Sequence, residues 1–277
     1  GPGVIAAFCG AQLINGNGTV WFLPSEKREI TELNLEPQPE NPWLARVSAL
    51  VEAATERWGG QVQIGHTDLG GNLDILASFR PGPGLLLDLH DYPDDVKRLT
   101  AQVHELWWHY YTYFDHLQRP PNPGCTCWTP ILSEGPYYML QCDFAYMIGP
   151  EMFDEFVKPD LEATARRLTN AFYHLDGPGQ LPHLDSLLSI DAIKGIQWVP
   201  GAGQPDVAHW PEVFRRIREA GKLIQVFGGQ YCGGWRILDV LAEQLGSAQG
   251  ICLIADAPQS EETEVREMLR RYGCPQE

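Results

Sequence analysis

Two short stretches carry residues whose types and spacing could do acid–base chemistry. His174-Leu175-Asp176 follows the apolar run Ala171 to Tyr173 and precedes Gly177-Pro178-Gly179. Positions i and i+2 of an extended segment point to the same side, so the imidazole and the carboxylate share a face. His66-Thr67-Asp68 repeats the arrangement after the run Val62 to Gly65 and before Gly70-Gly71. An imidazole gives or takes a proton near neutral pH, and a nearby carboxylate orients it or binds a substrate's donors. His183-Leu184-Asp185 spells a third triplet beyond the turn, where His183 serves either as outer support for a site or as helix-end packing. Gln197 and Trp198 lie in the run Ile196 to Val199, which ends in Pro200-Gly201. They face opposite ways, so at most one of them lines a pocket. Plainer roles compete with these: His174 bonded inside a core, Asp176 capping a turn, and His66 with Asp68 shaping one.

Alternating elements must hold these residues. Thr19 to Leu23 reads as a strand inside an otherwise irregular 1–41 segment. A helix follows from Pro42, with Leu44, Val47, Val51 and Trp58 at helical spacing and Gly59-Gly60 as its stop. Val62–Gly65 and Leu85–Leu89 are apolar runs of strand length, and a long helix starts near Pro93. Its second half, WWHYYTYF, predicts burial on more than one side rather than a ligand wall. Trp128–Leu132 and Tyr138–Cys142 read as strands, the second ending in Asp143, with a helix after Pro150. Strands over 171–173, 196–199, 223–227 and 251–255 alternate with helices near 184–190, 207–217, 235–245 and 262–272. Asp256 follows the last strand. About seven or eight strands in βα spacing predict a single (β/α)8 barrel domain over 1–277 with its site at the strands' carboxyl ends. A doubly wound open sheet is the alternative, weakened because no G-x-G-x-x-G turn follows a strand.

Composition narrows the partners. The 277 residues are 44% apolar and 20% charged, enough for a large core. The formal net charge of −16 argues against nucleic acid and anionic membrane surfaces, which need basic patches. No apolar run approaches a membrane span, and no signal peptide is visible. Seven scattered cysteines, Cys125-x-Cys127 among them, read as free thiols of a cytoplasmic protein. The chain opens at Gly1 without Met, so processing, a cleavage scar or a missing N-terminal segment is expected.

GPGVIAAF, GTVWFLP, GHTDLGGNLDILASFR, LQCDFAYMIGPEMFDEFVKPDLE, FYHLDGPGQLPHLDSLLSI and GIQWVPGAG together resemble the uroporphyrinogen decarboxylase-like proteins. More narrowly, they resemble the bacterial subgroup labelled trimethylamine corrinoid protein 2. The resemblance spans nearly the whole chain. It implies a TIM barrel related to corrinoid methyltransferases and cobalamin-independent methionine synthase, with more sequence before Gly1. It implies methyl transfer from a small methylated donor to a corrinoid, held by a separate protein, or to a thiol. It also implies that Asp143 matches the aspartate placed over the pyrrole nitrogens in the decarboxylases.

In the zinc methyltransferase relatives a His-x-Cys and a later Cys hold the metal. Here Asp176 stands in the Cys position, so the resemblance implies His174, Asp176 and Asp256, a harder set that would suit manganese or iron as well as zinc. A bound corrinoid is not expected: Asp88-Leu89-His90 begins D-x-H-x-x-G, but Pro93 replaces the glycine. No nucleotide motif is present either. His174, Asp176 and Asp143 are thus the catalytic candidates, with His66, Asp68, Gln197, Trp198 and His183 around the substrate. A lyase decarboxylating a small acid and a non-catalytic binding barrel are the alternatives. The sequence leaves substrate and oligomeric state open.

Overall fold

A computed structural model of the chain describes residues 3–16, 18–119 and 121–274. The opening Gly1-Pro2 pair therefore lies outside the described residues. The chain divides into two compact units, Gly1–Ala171 and Phe172–Glu277.

The first unit is mainly helical. It contains α1 (Val4–Phe8), the hairpin β1 (Gln12–Gly16) and β2 (Thr19–Leu23), α2 (Pro42–Trp58), α3 (Asn72–Phe79), α4 (Gly84–Asp91) and α5 (Pro93–Gln118). It continues with β3 (Tyr137–Leu140), α6 (Pro150–Met152), a π-helical turn Phe153–Val157 and α7 (Lys158–Arg167). The start of α2 follows the sequence: Pro42 takes the first helical position, and Asn41 Oδ1 accepts from the Trp43 and Leu44 amides at 2.9 and 3.3 Å. α5 is the central helix, as its pattern predicts. Val96, Leu99, Val103 and Leu106 bury one stripe, and Trp107, Trp108, Tyr110, Tyr111 and Phe114 widen it to several sides. Phe8 of α1 meets Tyr110 and Phe114, with ring centroids 5.0 and 6.0 Å apart.

Three expected strands of this unit do not form. Leu85–Leu89 belongs to α4, whose Leu85 and Leu89 are buried one turn apart while the Asp88 carboxylate takes a two-pronged bond from Arg80 at 2.6 and 2.8 Å. Val62–Gly65 is irregular because side chains replace a ladder. Asn122 bonds both the amide and the carbonyl of Ile64, and Gln118 Nε2 donates to the Gly65 carbonyl at 3.1 Å. Residues 128–132 are irregular as well, next to an isolated bridge between Cys125 and Ser133.

The second unit keeps the expected alternation. β4 (Asn170–Asp176) enters it and is followed by α8 (Leu184–Leu188), β5 (Ile193–Val199), α9 (Pro211–Glu219), β6 (Leu223–Phe227), α10 (Ile237–Leu245), β7 (Ile251–Ile254) and α11 (Glu262–Arg271). The strands lie in the order β4-β5-β6-β7, as sequential βα crossovers require. Gln197 of β5 pairs in register with Gln225 of β6, and Gln225 with Cys252 of β7, all parallel. Gly195 lets β5 close on its neighbour, since a Cβ there would stand 2.2 Å from the Phe172 ring. Ile196, Trp198, Ile224 and Val226 share one buried face, and Phe214 and Ile217 of α9 are buried too.

The chain is therefore α/β with a parallel sheet. Eight parallel strands are not present among the described residues. No helix among them is long and apolar enough to cross a membrane. The described cysteines form no disulfide.

Candidate functional site

His174 and Asp176 are the last residues on one face of β4, rather than residues beyond its end, and Gly177 at φ 79° turns the chain away. The pleat places His174 in one polar row with Gln197 and Gln225 on the neighbouring strands. His174 Nδ1 bonds Gln197 Oε1, and Gln197 Nε2 donates to Gln225 Oε1. Both glutamines are fully buried. Because Gln197 spends its amide hydrogen on Gln225, its oxygen faces His174 and accepts from Nδ1–H. The imidazole then presents its Nε2 lone pair toward Asp176, whose Oδ2 lies 4.0 Å away.

This geometry suits a ligating or proton-accepting imidazole. An outer partner on one ring nitrogen fixes the tautomer and orients the other. In a tetrahedral zinc site two such donors lie about 3.4 Å apart. The Asp176 oxygen stands 4.0 Å from Nε2, on a side chain that is 43% exposed.

The other sequence candidates of this unit stand apart from the row. Trp198 points to the opposite face, fully buried, with its ring 5.1 Å from that of Trp210. His183 ends the 3-10 turn Pro178–His183 and is also fully buried. Asp256 is exposed in the turn after β7. A cavity of about 470 Å³ opens at the carboxyl ends of β5 and β6, lined by Pro200, Gly201, Asp206, Gly229, Gln230 and Tyr231.

In the first unit, His66 and Asp68 do different work. His66 is stacked on Tyr111, with centroids 4.4 Å apart, and is 3% exposed. Neither ring nitrogen has a hydrogen-bond partner. Burial pushes its pKa down to about 4, against the pull of the Asp115 carboxylate 3.9 Å away. Asp68 Oδ1 accepts from the Gly70 amide at 3.0 Å, Gln141 Nε2 at 3.1 Å and the Tyr138 hydroxyl at 3.4 Å. It is a turn-forming residue in this structure.

Asp143 opens the 3-10 turn Asp143–Met147 and is exposed. Its amide and that of Phe144 both donate to Asp74 of α3, at 2.9 and 2.7 Å. Burial, and then the charge of Asp143, pushes the Asp74 carboxyl up to about 7. Gly71 makes the approach possible, since a Cβ there would overlap the Gln141 carbonyl oxygen at 1.9 Å. Asp74, Asp143, Trp21, Phe22, Ala77 and Phe144 line a cavity of about 550 Å³. A carboxyl poised near neutrality beside a second acid on an aromatic cavity is equipped for proton transfer.

Sequence reasoning missed Gln225 and Asp74. Gln225 was legible as one amide inside the apolar strand Leu-Ile-Gln-Val-Phe, matching Ile-Gln-Trp-Val one βα unit earlier. Asp74 looks like any acid in a helix's first turn, and only its tertiary partners distinguish it. No protein-family model matches the chain, and no curated protein matches it.

Proposed function

We propose that the chain is an enzyme of the uroporphyrinogen decarboxylase and methyltransferase kind, built on a (β/α)8 barrel and working in the cytoplasm. It would move a methyl group from a small methylated donor to a corrinoid on a separate protein or to a thiol. The observation that supports this reading most is the His174 row. Gln197 holds Nδ1–H, which leaves Nε2 as the donor on the side of Asp176. His174 through Nε2 and Asp176 through its carboxylate would hold zinc, manganese or iron, without Asp256, which does not lie within ligating distance of the pair. Such an ion supplies Lewis acidity and makes an accepting thiol a thiolate at neutral pH. The test is elemental analysis of protein purified without chelator, on the parent, His174→Ala and Asp176→Ala. Near-stoichiometric metal in the parent, lost in both variants, is the expected result. No metal in the parent after reconstitution overturns the ligand assignment.

Asp74 and Asp143 favour a second reading, decarboxylation of a small acid. The carbon–carboxylate bond breaks to give CO₂, its electron pair stays on the substrate carbon, and protonated Asp74 returns a proton there. Asp143 would stabilise positive charge on the substrate. Asp74 near pH 7 supports that role. CO₂ release from a small acid, abolished in Asp74→Asn, is its expected signature.

A further inference from the structure

We infer that Gln225 is a positioning residue for His174, acting through Gln197 to keep the imidazole in its Nδ1–H form. The inference rests on the reading of His174 as the site's donor. Gln225 makes no hydrogen bond to the ring or to Asp176. Its influence is directional. A primary amide has an accepting end and a donating end, so the end that Gln225 offers decides which end Gln197 must turn to it. Gln225 offers Oε1, Gln197 answers with Nε2, and the Gln197 oxygen is left for Nδ1–H. The opposite chain, with Gln225 donating, would make Gln197 a donor to Nδ1 and move the proton to Nε2.

Two observations show that this is more than packing. Gln225 is fully buried, and its Nε2 has no hydrogen-bond partner. A leucine at this position of an apolar strand would avoid that desolvation, so the amide is present for its oxygen. Asp176 also pulls the other way: a carboxylate oxygen 4.0 Å from Nε2 favours a proton on Nε2. The glutamine pair opposes that pull and keeps the lone pair on the side where an ion or a substrate proton would arrive.

The experiment is long-range ¹H–¹⁵N correlation of the ¹⁵N-histidine-labelled chain without added metal, with His174 assigned by its loss in His174→Gln. In the parent, Nδ1 should resonate as the protonated nitrogen and Nε2 as the bare one. In Gln225→Leu that preference should be lost or reversed. An Nε2–H ring in the parent overturns the inference by itself, even if the leucine variant fails to fold. So does an unchanged Nδ1–H ring in folded Gln225→Leu. A metal-free parent with the Nδ1–H ring would remove the metal reading and leave the positioning role standing. Where metal binds, Gln225→Leu should weaken it by less than the about 10- to 100-fold lost when the direct outer partner of a ligating histidine is removed.

Discussion

His174-Leu175-Asp176 at the end of β4 and His66-Thr67-Asp68 before α3 are the same motif in two surroundings. On β4 the strand fixes the side-chain directions, and the adjacent strands bring Gln197 and Gln225 to the ring. Before α3 no strand forms. His66 is sealed against Tyr111 without a hydrogen bond, and Asp68 is consumed by Gly70, Gln141 and Tyr138. Equal spacing therefore does not give equal chemistry. The neighbours decide whether a histidine is held in one tautomer for use or merely kept neutral in a core.

The difference is sharpest in acid. His66 falls from the ordinary 6.5 to about 4 in the folded chain. Between those values the unfolded chain binds the proton and the folded chain does not. The stability it supports is full above pH 6.5, is lost as pH falls through that window, and is gone below 4. The loss is roughly 3 kcal/mol. Urea unfolding at pH 7.5 and 4.5 measures it, and His66→Phe, which keeps the stack on Tyr111, should remove that part of the acid sensitivity. A parent and variant with the same acid slope would break the comparison.

The aspartates should differ next. Asp68→Ala leaves three donors without their acceptor and should cost roughly 2 kcal/mol. Asp176→Ala, at a half-exposed side chain, should stay within about 0.5 kcal/mol. Matched urea midpoints at pH 7.5 for the two variants would show that the motifs are equivalent after all.

How much of this was legible in the sequence follows the same line. In the second unit period and propensity agree, so β6 over Leu223–Phe227 and the β4–His-x-Asp–glycine order could be read directly. In the first unit, leucines in Leu85–Leu89 fit a strand or a helix, and only Leu85 and Leu89 packing inward on α4 decides it. Val62–Gly65 looked like a strand because its bonds to Asn122 and Gln118 come from some 60 residues away. The site divides similarly. His174, Asp176 and Gln197 were readable from alternation, whereas Gln225 needed the register between strands and Asp74 needed its bonds to Asp143 and Phe144.

A third test sets Asp74 against His66. Its carboxyl rises from 3.8 to about 7, so between those values the folded chain keeps a proton that the unfolded chain releases. Its contribution is full below 3.8 and is lost as pH rises toward 7, the opposite slope to that of His66. Subtracting Asp74→Asn from the parent in unfolding titrations over pH 4 to 7.5 should reveal a stability difference that declines with pH. A flat difference would remove Asp74 as the proton carrier in the decarboxylation reading.

An equally small effect on stability should come from Gln225→Leu. The substitution takes away the acceptor of Gln197 Nε2, leaving a buried donor unpartnered at a cost of roughly 1 to 3 kcal/mol. It also removes the Gln225 Nε2 group, already buried without a partner, and recovers a similar amount. The two changes offset, and the urea midpoint should move by an equivalent of about 0.5 kcal/mol or less. A side chain whose removal leaves stability unchanged while the His174 proton changes nitrogen has an orienting role. A loss above about 2 kcal/mol would instead give the β4 row the role that Asp68 has in the other motif, a polar group that holds the fold together.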